Sequence, residues 1–264
     1  EILSGLVGSE MCIRDRSDAK PVSFVEDCAV PLSNLADYTR GLNDIFEKYE
    51  TSGTWYAHAS VGCLHVRPIL NMKSNNDVIK MRAIAEEAFE LVKKFDGSHS
   101  GEHGDGISRS EFNPIMFGER LTNAFRELKS LMDPYGIFNP GKIVDAPKMD
   151  DRHLFRFSPG YTASDFKTEL DWSTWSGSSN GFQGAVEMCN NNGACRKLKG
   201  GVMCPSFRIT GEEKDSTRGR ANSLRLAMSG QLGPNAMTSP EMLETMKLCV
   251  SCKACKRECP TSVD

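Results

Sequence analysis

Cys249-Val250-Ser251-Cys252-Lys253-Ala254-Cys255-Lys256-Arg257-Glu258-Cys259-Pro260 decides the reading of the C-terminal part of this chain. Four thiols spaced C-x2-C-x2-C-x3-C and closed by proline form a pattern that wraps a [4Fe–4S] cluster. A tetrahedral zinc site needs two Cys-x-x-Cys pairs and has no use for the third interval. A disulfide framework fits less well, because Cys252 and Cys255 are too close in sequence to be independent staples. Where two clusters share a domain, the fourth cysteine of such a run binds the other cluster, so a second set is expected upstream.

That set is present in altered form as Cys189-Asn190-Asn191-Asn192-Gly193-Ala194-Cys195, continued to Cys204-Pro205. A regular run would carry cysteine at the position of Asn192, and Leu198, Lys199, Gly200 and Gly201 lengthen the last interval. With the ligand exchange of two-cluster ferredoxins, Cys249, Cys252, Cys255 and Cys204 form one complete set. Cys189, Cys195 and Cys259 then form a second that lacks a fourth cysteine. This second set could hold a three-cysteine cluster, recruit another ligand or stay empty. Asn192 is expected at its vacant corner.

The chain has 264 residues, room for one large or two modest domains. Apolar residues make up 39%, and 32 basic residues face 35 acidic ones, so no nucleic-acid partner is indicated. No apolar stretch approaches the ~20 residues needed to span a bilayer. Seven of the ten cysteines lie from Cys189 to Cys259 at ligand spacings, which points to a reducing cytoplasm. A peripheral place at the inner membrane is the alternative. Residues 1–16 resemble translated sequencing-adapter read-through and are expected to add nothing to the fold. They lack the basic start and apolar length of a signal peptide. Both ends look cut, so the chain reads as the middle of a longer protein.

Residues 17–145 alternate strand and helix patterns, an α+β domain with helices on a largely antiparallel sheet. Val22 to Val25 and Cys28 to Val30 read as strand. Thr54 to Ala57 and Cys63 to Val66 read as two strands joined at Ser60-Val61-Gly62. Leu35, Tyr38, Leu42, Ile45, Phe46 and Tyr49 mark one helical stripe. Met81, Ile84, Ala85, Ala88, Leu91, Val92 and Phe95 mark a second, capped by Asn76 or Asp77. Leu121, Phe125, Leu128 and Met132 mark a third, stopped at Asp133-Pro134. Residues 146–184 read as a linker lying along the preceding domain, because Trp172 and Trp175 need burial. Residues 185–264 suit a small α-helical ferredoxin-like iron–sulfur domain, with helices near Arg218–Met228 and Pro240–Leu248. Cys28 reads as an inert core thiol.

Three polar clusters outside the cysteine runs could carry chemistry. His58 and His65 flank a glycine turn that can fold them toward one point. Gly101-Glu102-His103-Gly104-Asp105-Gly106 packs two carboxylates and an imidazole into a glycine-rich loop. Asn139-Pro140-Gly141-Lys142 closes the domain. Two histidines and a carboxylate make a three-ligand metal set with an open position. The same residues read equally as hydrogen-bonded histidines and an ordinary loop.

Taken in order, His58 to Pro68, Gly101 to Gly106 and Asp133 to Lys142 resemble the C-terminal domain of FAD-linked oxidases. The tail from Gly201-Val202-Met203-Cys204-Pro205 through Arg218-Gly219-Arg220-Ala221 looks like the fused FAD/iron–sulfur D-2-hydroxyacid dehydrogenases. The resemblance implies a flavoenzyme with FAD, a [4Fe–4S] cluster and a zinc-like divalent ion held by His58, His65 and Glu102. By the same resemblance His103 is the catalytic base, Glu102 and His103 belong to the cofactor site, and Asn139 lies near the flavin. The implied reaction oxidises a D-2-hydroxy acid, D-2-hydroxyglutarate or D-lactate, and passes electrons to a quinone or protein acceptor. An iron–sulfur electron-transfer subunit of a glycolate- or glycerol-3-phosphate-dehydrogenase-like complex is the alternative. Many members carry Gly-Asp-Gly-Asn-Leu-His where this chain has Ser60 to His65, so Cys63 puts a thiol in place of an amide. In the family most FAD contacts come from a separate N-terminal domain, which this chain lacks. Arg196, Lys197, Lys199, Arg208, Arg218, Arg220, Lys253, Lys256 and Arg257 surround the cysteines, where cations balance the charge of a thiolate-bound cluster.

Overall fold

The computed structural model of the protein describes residues 17–162, 167–175 and 181–263. The adapter-like segment, residues 1–16, lies outside them. The chain divides into two compact units, Ala19–Pro159 and a second that begins at Gly160. The division falls inside the stretch read as a linker.

In the first unit, β4 (Cys63–Leu70) is the hub of a four-stranded antiparallel sheet. It pairs with β3 (Gly53–His58) along its length and with the short β1 (Lys20–Pro21) and β2 (Cys28–Ala29) at its ends. The hairpin turn closes on Gly62 at φ 71°, where a Cβ would collide with the Val30 carbonyl. Two amphipathic helices supply most of the core. Helix α1 (Leu35–Lys48) buries Tyr38, Leu42, Ile45 and Phe46, and α2 (Asn75–Lys94) buries Val78, Met81, Ile84, Ala85, Ala88, Phe89 and Val92. Both stripes repeat every three to four residues, as one face of a 3.6-residue turn requires. They close over Val25, Val66 and Leu70.

Three expectations need correction here, and a fourth, the third stripe, holds as a helix whose apolar face is left uncovered. Val22–Val30 is not one strand: β1 ends at Pro21, Val22–Val25 lie outside the strands, and β2 starts at Cys28 after Asp27, whose φ of 81° is left-handed. Helix α2 starts one turn early at Ser74, and Asp77 Oδ2 accepts the Asn71 N–H at 2.7 Å instead of capping. The third stripe falls on α4 (Glu119–Met132), after the short α3 (Asn113–Phe117), but α4 buries only Thr122 and leaves Leu131 79% exposed. Periodicity defines an apolar face without saying what covers it. The linker also splits. Met149 and Phe155 pack into the first core, whereas Trp175 packs on the second unit and Trp172 lies 5.2 Å from the Phe182 ring.

The second unit has no strand among its described residues. It holds α5 (Gly181–Glu187), α6 (Pro205–Thr210), α7 (Thr217–Met228), α8 (Pro240–Met246) and α9 (Ala254–Glu258). Ser216 and Ser239 cap α7 and α8 by accepting the Gly219 and Met242 N–H groups at 2.9 and 3.2 Å. Cysteine sulfur forms much of its core: Cys189, Cys195, Cys204 and Cys259 pack with Met188, Met203, Phe207 and Val263. No described helix is long and apolar enough to cross a membrane.

Candidate functional site

The β3–β4 register sets one half of the first site. His58 pairs with Cys63 and Tyr56 with His65. Residues two apart on a strand share a face, so Tyr56, His58, Cys63, His65 and Arg67 emerge on the same side. The loop after Ser100 supplies the other half. Glu102 Oε1 lies 3.0 Å from His65 Nε2, 3.3 Å from His58 Nε2 and 3.5 Å from His103 Nε2. The rings interlock: His65 meets His58 edge-on and stacks on His103, both at 5.0 Å between centroids. His65 is buried, while His58, His103 and Glu102 are about half exposed, at 58%, 47% and 47%.

A carboxylate–guanidinium pair braces this face from behind. Arg67 donates twice to Glu26, from Nε at 3.0 Å and Nη2 at 2.7 Å, and the Tyr56 hydroxyl donates to Glu26 at 2.8 Å. Burial pushes the Glu26 carboxyl up, but bonds from Arg67, Ser23 and Tyr56 more than reverse this and leave it at about 2. Tyr56 in turn stacks on His65 at 4.7 Å. Burial, helped by the neighbouring His103, holds His65 below the ordinary imidazole range, which favours the neutral form that binds metals.

The chemistry of this donor set fits a divalent ion. Imidazole nitrogens and a carboxylate oxygen converge with solvent on one side, as a three-ligand site with an open position requires. The buried His65 Nδ1 has no hydrogen-bond partner among the described residues, and Glu26 Oε1 stands 3.9 Å from it. A carboxylate behind a ligating imidazole is the usual support. Among the described residues, the sets whose ligand atoms all lie within 4.8 Å of one another are Asp27, Cys63, His65 and Glu102, and Glu26, His65 and His103; His58 approaches Glu102 but is in neither set. Asp27 is no candidate ligand, because it is fully buried and both its oxygens accept hydrogen bonds. Cys63 donates its thiol to Asp27 at 3.5 Å, and burial with that bond pushes it up to about 12. It serves as a neutral donor.

Several supports had no sequence signal beyond their residue type. Glu26, Asp27 and Arg109 have no spacing that marks them as site residues, although Glu26 and Asp27 are adjacent carboxylates inside an apolar run, and Arg67 stands out only as part of the His58–Pro68 motif. His99, next to the loop, is fully buried with Nε2 3.0 Å from Asp105 Oδ1 and belongs to the scaffold. Arg109 binds the carbonyls of His99 and Gly104 at 2.9 and 2.8 Å, and also that of Glu26. Asn139 is exposed at φ 48°, in a turn that Asp133 organises by accepting the Ile137 and Phe138 N–H groups, both at 2.9 Å. The Ile143 N–H to Gly106 carbonyl bond, 2.9 Å, ties this turn to the Glu102 loop. Cys28 is fully buried, and burial pushes its thiol up to about 11.

The second site is a cavity of about 280 Å³ lined by Cys204, Cys249, Cys252 and Cys255, with apolar walls that include Trp172 and Phe182. Ser251 and Lys253 adopt left-handed φ of 52° and 58° between the thiols, curling the loop around the cavity. Four thiols facing one space suit a four-iron cluster. Cys189, Cys195 and Cys259 are buried together in the adjoining core and do not line that cavity. Cys204 also reaches Cys195. A bond from Cys204, against burial and with the Arg218 N–H, brings Cys195 down to about 6, and Cys204 is pushed up by the same contact. Cys204 Sγ further accepts the Thr217 N–H at 2.9 Å and lies 2.8 Å from its hydroxyl. Asn192 is not at a vacant corner. It is exposed, accepting the Ala194 N–H at 2.8 Å, and Asn191 Oδ1 lies 3.8 Å from Cys189 Sγ instead. A local Asx turn satisfies Asn192 and turns it outward.

Comparison with known proteins places both halves. Residues 8–143 match the family described as FAD linked oxidases, C-terminal domain, and residues 185–263 match the 4Fe-4S dicluster domain. D-2-hydroxyglutarate dehydrogenase of Pantoea ananatis is 32% identical over 98% of this chain and 28% of its own length. The Escherichia coli protein of the same name is 30% identical over 98% of this chain and 28% of its own length. Glycolate oxidase subunit GlcD of Bacillus subtilis is 31% identical over 47% of this chain and 26% of its own. The chain thus spans little more than a quarter of the relatives it matches throughout.

Proposed function

The chain belongs to the FAD linked oxidase family through its C-terminal domain, and from that premise we propose that it is the substrate-side portion of a flavin- and iron–sulfur-dependent D-2-hydroxyacid dehydrogenase. The observation that carries the reading is the convergence of His58, His65 and His103 on one Glu102 oxygen within 3.5 Å. When bound, a divalent ion would polarise the substrate hydroxyl, FAD would accept hydride, and a [4Fe–4S] cluster would carry single electrons onward. His58, His65 and Glu102 hold the ion. His103 Nε2, exposed beside them and stacked on His65, takes the hydroxyl proton as the 2-oxo acid forms. Asn139 faces the flavin side, as its place in the family motif implies. Cys204, Cys249, Cys252 and Cys255 hold the cluster, and Cys189, Cys195 and Cys259 offer a second, less complete set.

D-2-hydroxyglutarate is the first substrate and D-lactate the second, since the relatives that match nearly the whole chain bear the first name. A quinone or a protein accepts the electrons. A pure electron-transfer subunit would use the cysteines equally well but leaves the histidine–carboxylate cluster without a role. The test is dye-coupled oxidation by the full-length protein across D- and L-2-hydroxy acids. Turnover of D-acids, lost together with bound metal in His58→Ala, is expected. Activity on none of the acids sinks the substrate class.

A further inference from the structure

Asp27 is fully buried and makes no contact that its residue type or neighbours foretell. Its Oδ1 accepts the Glu102 N–H at 2.9 Å, and its Oδ2 accepts the His103 N–H at 2.8 Å and the Ser100 hydroxyl at 3.0 Å. Its own carbonyl accepts the Gly101 N–H at 2.7 Å, and its own N–H donates to the Leu64 carbonyl of β4 at 3.0 Å. One residue therefore holds four consecutive loop residues, Ser100 to His103, against the strand that carries Cys63 and His65.

Two further features make this a built arrangement. The Asp27 backbone is held at φ 81°, in the left-handed region that a non-glycine residue rarely adopts. A Cβ on Gly101 would lie 3.1 Å from the Asp27 carbonyl oxygen and 3.3 Å from Oδ1, so glycine is what allows the loop to seat on it. The charge is balanced by Arg109, whose Nη2 lies 3.6 Å from Oδ2 while the same guanidinium binds the Gly104 carbonyl. The Cys63 thiol completes the shell at 3.5 Å from Oδ1.

We propose that Asp27 is the positioning residue of this site: it fixes the Gly101–His103 backbone on β4 and so sets Glu102 on His58 and His65, and His103 on the face of His65. The inference rests on the metal-site reading above. Without this anchor the loop has no regular secondary structure to hold it, and Glu102 and His103 would have to be ordered by the ion itself.

Asp27→Asn keeps the shape but turns an amide donor toward one of the backbone N–H groups. In the full-length protein it should weaken Co²⁺ binding by about 10- to 100-fold, the range seen for groups that orient ligands. The Co²⁺ absorption bands should shift, and kcat should fall while KM stays near the wild-type value. A merely structural role would lower the melting temperature and leave the Co²⁺ affinity and spectrum of the folded protein unchanged, which overturns the proposal. Wild-type protein that binds no Co²⁺ overturns the metal reading and this inference together. Should Asp27→Asn not fold, Gly101→Ala lifts the loop while leaving Asp27 and Arg109 in place, and the same loss of Co²⁺ affinity is expected. Hydrogen exchange on the wild-type protein needs no variant: the Gly101, Glu102 and His103 amides should be strongly protected, and fast exchange at all three sinks the proposal.

Discussion

The histidine site of the first unit and the cysteine cavity of the second place their ligands in opposite ways. In the first, a two-stranded hairpin, a bidentate Arg67–Glu26 pair and the buried Asp27 fix His58, His65 and Glu102 through the protein's own hydrogen bonds. In the second, Cys204 is packed in the core, but Cys249 and Cys252 are exposed on a loop without regular structure and line an open space. Preorganisation by a sheet sets the side chains in place whether or not an ion is bound. On the proposed reading, a site on short helices and left-handed loop residues depends on its ligand to hold the unit together.

The sharpest way to break this contrast is to remove one thiol. Cys252→Ser in the full-length protein should lose iron and loosen the second unit, because isolated helices of 12 residues or fewer are marginal in water. Limited proteolysis should then cut between Gly160 and Val263 and spare Ala19–Pro159. Equal susceptibility of both units would end the distinction. The next effect is catalytic. His103→Gln should lower kcat by about 10²- to 10⁴-fold with bound metal retained, as expected for loss of a general base. Loss of the metal as well would make His103 a ligand.

Arg67→Met probes the bracing of the first site. It leaves the Glu26 carboxylate, 10% exposed, without its guanidinium, at a cost of about 3 kcal/mol. Denaturant unfolding of the first unit reads this directly, and a change under 1 kcal/mol would show that the pair is dispensable. The smallest effect belongs to Thr217→Val, which removes the hydroxyl 2.8 Å from Cys204 Sγ and keeps the Thr217 N–H bond. A lost donor to sulfur should shift the cluster's reduction potential slightly downward in an EPR-monitored titration. No shift would mean that the hydroxyl does not donate to the cluster-bound sulfur.

Much of this protein was legible from its sequence, wherever local spacing carries the geometry. The stripes of α1 and α2, the β3–β4 hairpin with its Gly62 turn and the Cys249–Cys259 run are encoded within one or two turns of chain. Only the tertiary structure decided which of these faces would be covered, so α4 shows the same periodicity as α1 yet turns Leu128 and Leu131 to solvent. Cys204 lines the cavity of Cys249, Cys252 and Cys255 as the cysteine spacing implies, but the tertiary structure alone brought Trp172 and Trp175 to the second unit. The plainest case is Asp27. Its hydrogen bonds to Glu102 and His103 join positions 75 and 76 residues apart. Periodicity reports on neighbours along the chain, and a carboxylate that closes such a distance leaves no period to read.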